Sequence, residues 1–393
     1  MAKMTLQEKL KNMDKLADGF NKKAGKVMMG RISKSEELRN ELEVEWIETP
    51  SLNVNAITGG GIPRGKVTIV SGMPDSGKTF YLLETIGKEM AKDPNFVAGW
   101  LESEGSITYD NLMQFNIDPE RFMYQRFDKA GGAEKALDGV EAALLTGLDM
   151  FVINSLKCLV PAEELEKSME KQQVGLQARM NSKMMRKLKT IVTENKIAFV
   201  MVQHLSTQIG VMYGDPMIIS GGVAIRYGAD IIMDFRKKTV GADDPITKEE
   251  GVKIGVAITK NHVVTDRYPY LRTDYYGIFG QGTEVYLEAI ELAIEQGLLV
   301  KAGAFIKVPD EDGNPKVLED GTKLQWQGTA KFRQYCIDNP DFFNELSSKL
   351  TGSAQELSEE EVNQIKENEA DDEGRLSELD GDILEESRKK KKK

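Results

Sequence analysis

Between about residues 45 and 280, short apolar runs alternate with longer amphipathic stretches. The apolar runs predict strands at 67–71, 96–101, 150–153, 197–203, 231–235 and 252–259. The amphipathic stretches predict helices from Lys78 onward and at 109–115, 132–145 and 177–195. Apolar strands that alternate with helices indicate an α/β fold with a doubly wound, mainly parallel sheet, whose ligands bind at the carboxyl ends of the strands.

The flanking segments predict three further parts. Leu6, Leu10, Met13 and Leu16 recur at helical spacing, so residues 1–35 are predicted to form an amphipathic helix and a lysine-rich linker. This helix packs either on its own domain or on a neighbouring subunit. Residues 36–282 form the core, and residues 283–350, with helices at 284–296 and 329–339, form a small α/β domain. Residues 351–393 are strongly charged and are predicted to be a disordered acidic tail with a terminal lysine run.

Composition limits the chemistry more than it limits the partners. The chain has 393 residues, 40% of them hydrophobic, and no apolar run reaches the roughly 18 residues of a membrane helix. Two cysteines and two histidines exclude a disulfide framework and a cysteine-based zinc cluster. Residues 356–386 are strongly acidic and the last six residues are basic, so residues 1–355 are only mildly acidic and a nucleic-acid partner stays open. The N-terminus lacks a signal-peptide pattern, which predicts a cytoplasmic protein.

A phosphate-binding loop follows the first predicted strand of the core. Residues 72–79 read G-x-x-x-x-G-K-T between an apolar run and an amphipathic stretch, which is the context that a P-loop requires. Lys78 supplies a cation to the outer phosphates, the Thr79 hydroxyl is a ligand for Mg²⁺, and the helix N-terminus attracts anions. The predicted nucleotide-binding residues in this segment are Gly72, Met73, Pro74, Asp75, Ser76, Gly77, Lys78, Thr79 and Phe80. The chain is therefore predicted to bind a nucleoside triphosphate with Mg²⁺.

Polar residues end the next three strands. Glu102 and Glu104 share one face of their strand end, and either carboxylate could orient the water that attacks the γ-phosphate, or both could simply be solvated. The third strand ends at Asn154, where P-loop ATPases usually carry an aspartate that holds the water shell of Mg²⁺. The fourth ends at His204, which either senses the γ-phosphate or is a structural hydrogen-bonded histidine.

Two long segments adjoin these strand ends. Residues 161–173 and the glycine-rich residues 206–222 are too long for simple connections, and long loops are commonly functional. Arg179, Lys183, Arg186, Lys187 and Lys189 form a basic helical face after the first of them. Such a face is often only solvated, but beside an ATP site and two loops it favours a polyanionic partner.

Several stretches resemble the RecA recombinase family over roughly residues 45–350. They are Leu159–Glu166, Gly175–Met180, Arg186–Leu188, Ile209–Pro216, Gly221–Gly222, Lys260–Asn261 and Lys301–Phe305. His204 is similar to the histidine of phage recombinases of the UvsX type, which implies a phage origin and a host-cytoplasmic location.

The resemblance implies roles for individual residues. Glu104, Lys78 and His204 would be catalytic, with His204 linking the γ-phosphate to the second loop. Lys260 and His262 would reach the ATP of a neighbouring subunit, Tyr227 would relay the nucleotide state to that neighbour, and the N-terminal helix would be a polymerisation arm. The residues implied to line the DNA path are Val174, Gly175, Arg179, Ser182, Arg186, Thr207, Gln208, Ile209, Gly210, Val211, Gly221 and Gly222.

The activity that the resemblance implies is homologous recombination and DNA repair. A filament on single-stranded DNA, with ATP and Mg²⁺ between subunits, would pair with duplex DNA, exchange strands and hydrolyse ATP in a DNA-dependent manner. Single-strand-binding or loader proteins are further partners that the resemblance implies, and no membrane is involved.

Five positions depart from the family pattern. Asn154 replaces an aspartate, His262 replaces a lysine, and Ser206 and Gln208 replace basic residues. The adenine-stacking tyrosine falls on Asn111 by strict spacing, with Tyr109 as the substitute, and Asn154 belongs to the magnesium site through water. Because of Asn154, an ATP-binding assembly or mediator protein with little hydrolysis is the alternative function, and a hexameric helicase-type motor is a third.

Overall fold

The computed structural model describes residues 4–165, 175–207, 217–219, 223–241, 244–264, 270–318, 321–350, 355–359 and 361–367. These residues form two compact units, which divide after Glu45. The first unit contains helices α1 (Leu6–Ala24) and α2 (Glu36–Leu42). Thr5 and Glu8 form a capping box at the start of α1, and Gly25 ends the helix in the left-handed conformation.

An apolar stripe runs along α1. Leu6 is 70% exposed, Met13 is 52% exposed and Leu16 is 64% exposed. Their positions place them on one face of the helix. The chain after α1 is held by Asp14, which accepts hydrogen bonds from Arg31 and Lys34. The hydrogen bond from Arg31 is the main reason that the pKa of Asp14 is lowered to about 2.

The second unit carries the remaining elements. Its helices are α3 (Leu52–Thr58), α4 (Lys78–Lys92), α5 (Tyr109–Gln114), α6 (Gly132–Leu144), α7 (Ala162–Leu165), α8 (Leu176–Glu194), α9 (Val223–Gly228), α10 (Val285–Glu295), α11 (Gly328–Asp338) and α12 (Pro340–Ser348). Its strands are β1 (Trp46–Ile47), β2 (Ile62–Pro63), β3 (Val67–Gly72), β4 (Ala98–Glu102), β5 (Phe122–Arg126), β6 (Met150–Asn154), β7 (Ala198–Thr207), β8 (Met217–Ile219), β9 (Ile231–Lys238), β10 (Gly251–Asn261), β11 (Leu271–Ile278), β12 (Gly282–Thr283), β13 (Val300–Ala302), β14 (Phe305–Lys307), β15 (Gln325–Gln327) and β16 (Gln355–Glu356).

A sheet of eleven strands forms the centre of the described part of this unit. Its order is β12-β11-β10-β9-β3-β7-β6-β4-β5, with β16 beside β11 and β8 beside β7. The strands from β9 to β5 are parallel, whereas β10, β11 and β12 continue the sheet in antiparallel fashion. The carboxyl ends of β3, β7, β6 and β4 therefore meet at one edge. The predicted α/β fold class is confirmed.

Both faces of the sheet are buried, because successive side chains of each strand point to opposite sides. One core contains Val70, Val152 and Val202 together with Leu82 of α4. The other contains the intervening residues, such as Ile69 and Phe151, together with side chains of α6 and α8. Continuous burial on both faces explains why these strands read as unbroken apolar runs.

A third apolar cluster lies C-terminal to the sheet. Helices α10, α11 and α12 pack around β13, β14 and β15, with Ile306 and Phe332 almost fully buried. The Trp326 ring lies 4.4 Å from the ring of Phe332 and 4.5 Å from that of Tyr335, centroid to centroid. The boundaries proposed for a separate domain at 283–350 stay a prediction.

Residues 355–359 and 361–367 are ordered, unlike the unstructured tail predicted from residue 351. The Leu357 N–H donates to the Tyr270 carbonyl oxygen at 2.9 Å, and β16 pairs with β11. Leu357 and Val362 are buried, and Arg272 pairs with Glu361 at 2.9 Å. Two apolar side chains in an otherwise acidic segment are enough to attach it to the edge of the sheet, and composition averaged over the whole tail conceals them.

Glu288 of α10 is buried against the first turn of α3. Its carboxylate accepts hydrogen bonds from the Ser51 hydroxyl at 2.6 Å and from the N–H groups of Leu52 and Asn53, both at 3.0 Å. Burial raises the pKa of Glu288 from 4.5 to about 7, although these hydrogen bonds oppose the rise. Because the folded-state pKa exceeds the unfolded value, this group stabilises the fold at low pH and loses that contribution as pH rises towards 7.

Between about pH 5 and pH 7, Glu288 should make the free energy of unfolding fall by about 1.4 kcal/mol per pH unit. We expect Glu288→Gln to remove this contribution to the slope. Urea denaturation at a series of pH values measures this slope. Glu295→Gln on the exposed side of the same helix is the control and should keep the wild-type slope. An unchanged slope in Glu288→Gln would show that Glu288 is ionised throughout this range.

Within the described residues, no helix has the length and apolarity that crossing a membrane requires. Among the same residues, no group of three or more histidine, cysteine, aspartate or glutamate side chains is arranged to hold a metal ion.

Candidate active site

The P-loop joins β3 to α4 at the carboxyl edge of the sheet. Gly72 has φ +153°, and a Cβ there would lie 2.3 Å from the carbonyl oxygen of Phe235 on the neighbouring strand β9. Gly77 has φ +81° and lies immediately before α4. Met73, Pro74 and Asp75 form the exposed crest, whereas Ser76 is buried. Glycine is thus required at Gly72 by a close approach of two backbones, and at Gly77 by the left-handed turn.

Lys78 is almost completely buried beneath this loop. Its ammonium group donates to the carbonyl oxygens of Gly72 at 3.1 Å and Met73 at 2.7 Å, and to the Ser76 hydroxyl at 3.2 Å. Burial lowers the pKa of Lys78, and the negative charges of Glu104, Asp234 and Asp75 oppose that change. These bonds hold the cation at the loop, next to the first turn of α4.

Glu104 is joined to the ends of two other strands. Its Oε1 atom lies 2.6 Å from Nε2 of His204 on β7, and it accepts a hydrogen bond from the Ser155 hydroxyl just after β6. The Cys158 sulfur lies 3.8 Å from the same oxygen. Burial raises the pKa of Glu104, but the hydrogen bonds from Ser155 and His204 outweigh it, so the net pKa is lowered. Glu104 is therefore a carboxylate at neutral pH.

Glu102 has a different environment from Glu104, although both are candidates by sequence. Its Oε1 atom accepts from the N–H groups of Glu104 and Gly105, both at 2.8 Å, and Oε2 accepts from the Trp100 indole at 3.0 Å. Glu102 is only 2% exposed. It therefore anchors the turn that carries Glu104 and is not free to orient a water molecule.

Asn154 lies beside Glu102 and is fully buried. Its Nδ2 atom donates to Glu102 Oε2 at 3.0 Å and to the Ser106 hydroxyl at 2.9 Å. Its Oδ1 atom has no hydrogen-bond partner among the described residues. A buried amide oxygen without a donor, together with the Thr79 hydroxyl at the start of α4, fits Mg²⁺, which binds oxygen ligands and retains several waters.

Tyr109 and Asn111 lie on α5, which packs beside the P-loop helix. The Phe80 and Phe115 rings are 5.9 Å apart, and Gly87 of α4 lies against the Phe115 carbonyl group. The Asn111 side chain accepts from the N–H and the hydroxyl of Thr108, both at 3.0 Å, so it caps the helix. Tyr109 is 64% exposed. Of the two candidates for stacking on a base, Tyr109 is the one with a free ring face.

Lys260 lies in β10 and His262 just after it, two strands away from β3, with His262 near the amino end of β3, where its N–H donates to the Asp230 carbonyl oxygen. Strand β10 is antiparallel to β9, so Lys260 is paired with Ile232, and Ile232 is paired with Ile69 in the first half of β3. The Lys260 ammonium group donates to the carbonyl oxygens of Arg226 at 2.9 Å and Tyr227 at 3.1 Å. Both residues therefore lie away from the carboxyl edge of the sheet, where the P-loop of their own chain begins.

The predicted DNA-binding residues are only partly described. Arg179, Ser182 and Arg186 lie on α8, which begins at Leu176 after Gly175, and both arginines are exposed. On the same predicted basic face, Lys187 pairs with Glu141, and Lys189 pairs with Asp230 at 3.0 Å. Thr207 ends β7, which extends beyond the predicted end at 203 because β8 pairs with it as a hairpin. Val174, Gln208, Ile209, Gly210, Val211, Gly221 and Gly222 lie outside the described residues.

Residues 11–284 match the RecA N-terminal domain family, which is more than half of the chain. The chain belongs to the RecA family. It is similar to Protein RecA of Aquifex aeolicus, with 28% identity over 351 residues, which is 89% of this chain and 94% of that protein. It is also similar to Protein RecA of Thermus aquaticus, with 27% identity over 89% of this chain and 96% of that protein. A third relative, Protein RecA of Thermotoga petrophila, is 30% identical over 84% of this chain and 88% of that protein.

Membership in the RecA family makes this chain one of the recombination and repair proteins. RecA proteins are DNA-dependent ATPases that use ATP with Mg²⁺, bind single-stranded DNA and form filaments. The structure adds Ser155, Ser106 and Cys158 to the site residues named from sequence. Ser155 directly follows Asn154 at a strand end, a signal that could have pointed to it. Nothing in the sequence pattern points to Ser106 or Cys158.

Proposed function

We propose that this protein forms a helical filament on single-stranded DNA, pairs that strand with homologous duplex DNA and promotes strand exchange. ATP and Mg²⁺ are held between adjacent subunits, and hydrolysis depends on DNA. The observation that carries the proposal is the 2.6 Å contact between Glu104 Oε1 and His204 Nε2. It joins the carboxylate next to the P-loop to the strand that runs directly into the second glycine-rich loop.

Glu104 acts as the base that orients the attacking water. It is ionised at neutral pH and held by Ser155, so its second oxygen remains available for a water molecule. Lys78 would hold the outer phosphates, and Thr79 and Asn154 would hold Mg²⁺, Asn154 through water. Bound Mg²⁺ would neutralise charge on the phosphates. His204 exchanges its contact with Glu104 for one with the γ-phosphate and thereby reports the nucleotide state to the loop after β7.

Assembly completes the nucleotide site. Lys260 lies level with Ile69 and His262 lies near the amino end of β3, two strands away from it, so both residues act on the ATP of a neighbouring subunit rather than on that of their own P-loop. Lys260 lies 5.8 Å from the centre of the Tyr227 ring, and Tyr227 is 41% exposed, which suits a contact with the next subunit. The apolar stripe of α1 is the polymerisation arm, because a stripe of this kind is stable when another surface covers it.

DNA binds along α8 and through the two loop segments at residues 161–173 and 206–222. Arg179 and Arg186 are seven residues apart on α8 and are both exposed, so they lie on one face of that helix. Contacts of arginine and backbone amides with phosphates are independent of base sequence, and they weaken as the salt concentration rises.

A three-part assay tests the proposed function. We expect ATP hydrolysis that single-stranded DNA stimulates, filaments by negative-stain electron microscopy, and strand exchange that starts with either ATP or a non-hydrolysable analogue. Lys78→Ala, which removes the phosphate cation, is the negative control for all three. Closed rings in place of filaments, or DNA binding without strand exchange, would refute the proposal.

Asn154 favours one second candidate, an assembly or mediator protein with little hydrolysis. An amide has no negative charge to offer to the water shell of Mg²⁺. Filaments and ATP binding with a turnover that single-stranded DNA does not raise would support this candidate over the first.

We further expect Tyr109 to stack on adenine. Tyr109→Ala should weaken ATP binding by about 5- to 100-fold, because stacking of a base on an aromatic ring contributes roughly 1–3 kcal/mol. Fluorescence titration with a labelled ATP analogue measures this affinity. Tyr109→Phe keeps the ring and is the matched control, with near wild-type affinity. Equal weakening in both variants would assign the effect to the hydroxyl group instead.

A further inference from the structure

A buried carboxylate and a buried amide meet where β4 and β6 end. Glu102 and Asn154 are opposite one another in the parallel register of these strands. Glu102 is 2% exposed and Asn154 is 0% exposed. Asn154 Nδ2 donates to Glu102 Oε2 at 3.0 Å, so the pair joins one hydrogen-bond donor to one acceptor, whereas two paired carboxylates would present only acceptors.

Glu102 cannot turn away from Asn154. Its other oxygen accepts the N–H groups of Glu104 and Gly105, both at 2.8 Å, and Oε2 also accepts the Trp100 indole N–H. Donors from three directions therefore hold the carboxylate in one position. This position is independent of Asn154, since none of these donors belongs to it.

The fixed carboxylate determines which way the Asn154 amide faces. Rotation of the amide by half a turn would exchange Nδ2 for Oδ1 and bring two acceptor oxygens to about 3 Å from one another, without a proton between them. Glu102 therefore directs Oδ1 away from itself. That oxygen is buried and has no donor within the described part of the chain, which is unfavourable unless a ligand satisfies it.

We propose that Glu102 is a positioning residue that turns Asn154 Oδ1 towards the water shell of Mg²⁺, and that residue 154 must present a hydrogen-bond donor to Glu102 for the site to form. This inference rests on the proposed function, in which Asn154 belongs to the magnesium site. Replacing Asn154 with the aspartate usual in P-loop ATPases therefore damages the site. A carboxylate oxygen then takes the position of Nδ2 and faces Glu102 Oε2, which is also an acceptor.

Exchange of the donor and the acceptor across the pair restores the site. In Glu102→Gln combined with Asn154→Asp, the glutamine amide donates to the aspartate, and the glutamine oxygen still accepts the two backbone N–H groups. The Trp100 indole loses its acceptor, and the Ser106 hydroxyl, which accepts from Asn154 Nδ2 in the wild type, donates to the aspartate instead.

The test is a double-mutant cycle with Glu102→Gln, Asn154→Asp and the double variant at constant pH. The first readout is the thermal midpoint without nucleotide. We expect Asn154→Asp to lower it by about 5 °C or more, and the double variant to recover most of that loss. The second readout is the Mg²⁺ concentration that half-saturates binding of a fluorescent ATP analogue. Glu102→Gln should raise it about 10- to 100-fold, as loss of a group that orients a metal ligand does, and the double variant should reverse the increase.

Asn344→Asp on the exposed side of α12 is the control for the chemical change alone and should leave both readouts unchanged. If Asn154→Asp folds poorly, the soluble yield of the double variant provides the rescue. An Asn154→Asp protein as stable as the wild type, or a Glu102→Gln protein with unchanged Mg²⁺ dependence, overturns the inference. If the wild-type protein bound no ATP, the proposed function would fail with the magnesium role, and the midpoints without nucleotide would still decide whether Glu102 requires a hydrogen-bond donor at residue 154.

Discussion

Replacing Glu104 with glutamine is expected to lower the DNA-dependent rate of ATP hydrolysis by on the order of 10²- to 10⁴-fold, because a general base is lost. Affinity for ATP and for single-stranded DNA should change little. The amide keeps the size of the side chain and still accepts the Ser155 hydrogen bond, so the turn held by Glu102 is undisturbed. What it lacks is the negative charge that orients and deprotonates water.

Steady-state hydrolysis with single-stranded DNA, together with fluorescence titrations of ATP and DNA, separates these effects. Glu194→Gln, at the exposed end of α8, removes a carboxylate away from the P-loop and should hydrolyse ATP at the wild-type rate. The same experiment tests the link between His204 and the loop. If Glu104→Gln hydrolysed ATP normally, the water-positioning role would belong to another group.

Replacing Gly72 with alanine is expected to destabilise the second unit by about 3 kcal/mol and to abolish ATP binding. The added Cβ would lie 2.3 Å from the Phe235 carbonyl oxygen and 2.7 Å from the Ser76 hydroxyl oxygen. Both neighbours belong to the framework of the site, because Ser76 is one of the groups that hold Lys78. The strand and the P-loop therefore cannot both keep their positions.

Urea denaturation and ATP titration measure the two effects. Gly147→Ala is the matched control, since Gly147 also has a positive φ of 92° but no atom within 4 Å of the added Cβ. It should lose only about 1 kcal/mol through backbone strain. Equal losses in the two variants would mean that strain alone, rather than contact with β9, makes glycine necessary at position 72.

The elements that the sequence predicts well are those whose pattern of burial is visible in the local sequence alone. Strands β3 and β6 begin at the predicted residues, because both faces of each strand are buried and the run is unbroken. Strand β5 was not predicted, since only its first residue, Phe122, is buried and Met123 and Tyr124 are exposed at the edge of the sheet. An edge strand is defined by its neighbour, which local pattern does not contain.

The site divides in the same way. Spacing alone identified Lys78 and Thr79, because the P-loop is a continuous stretch whose chemistry is contained in its own backbone. Spacing left Glu102 and Glu104 as equal candidates. The distinction between them depends on donors that are distant in sequence, namely Ser155 and His204 for Glu104 and Asn154 for Glu102.

The amino-acid sequence by itself determined the fold class, the nucleotide loop and the resemblance to the RecA family, since each depends on periodicity or on short segments read in order. Only the tertiary structure decided which carboxylate contacts Ser155 and His204, which atom of Asn154 has no partner among the described residues, and that Lys260 lies level with Ile69 rather than with the P-loop. The physical reason is that hydrogen bonds and strand register join residues about 50 to 200 positions apart. Their geometry exists only once the parallel strands are aligned.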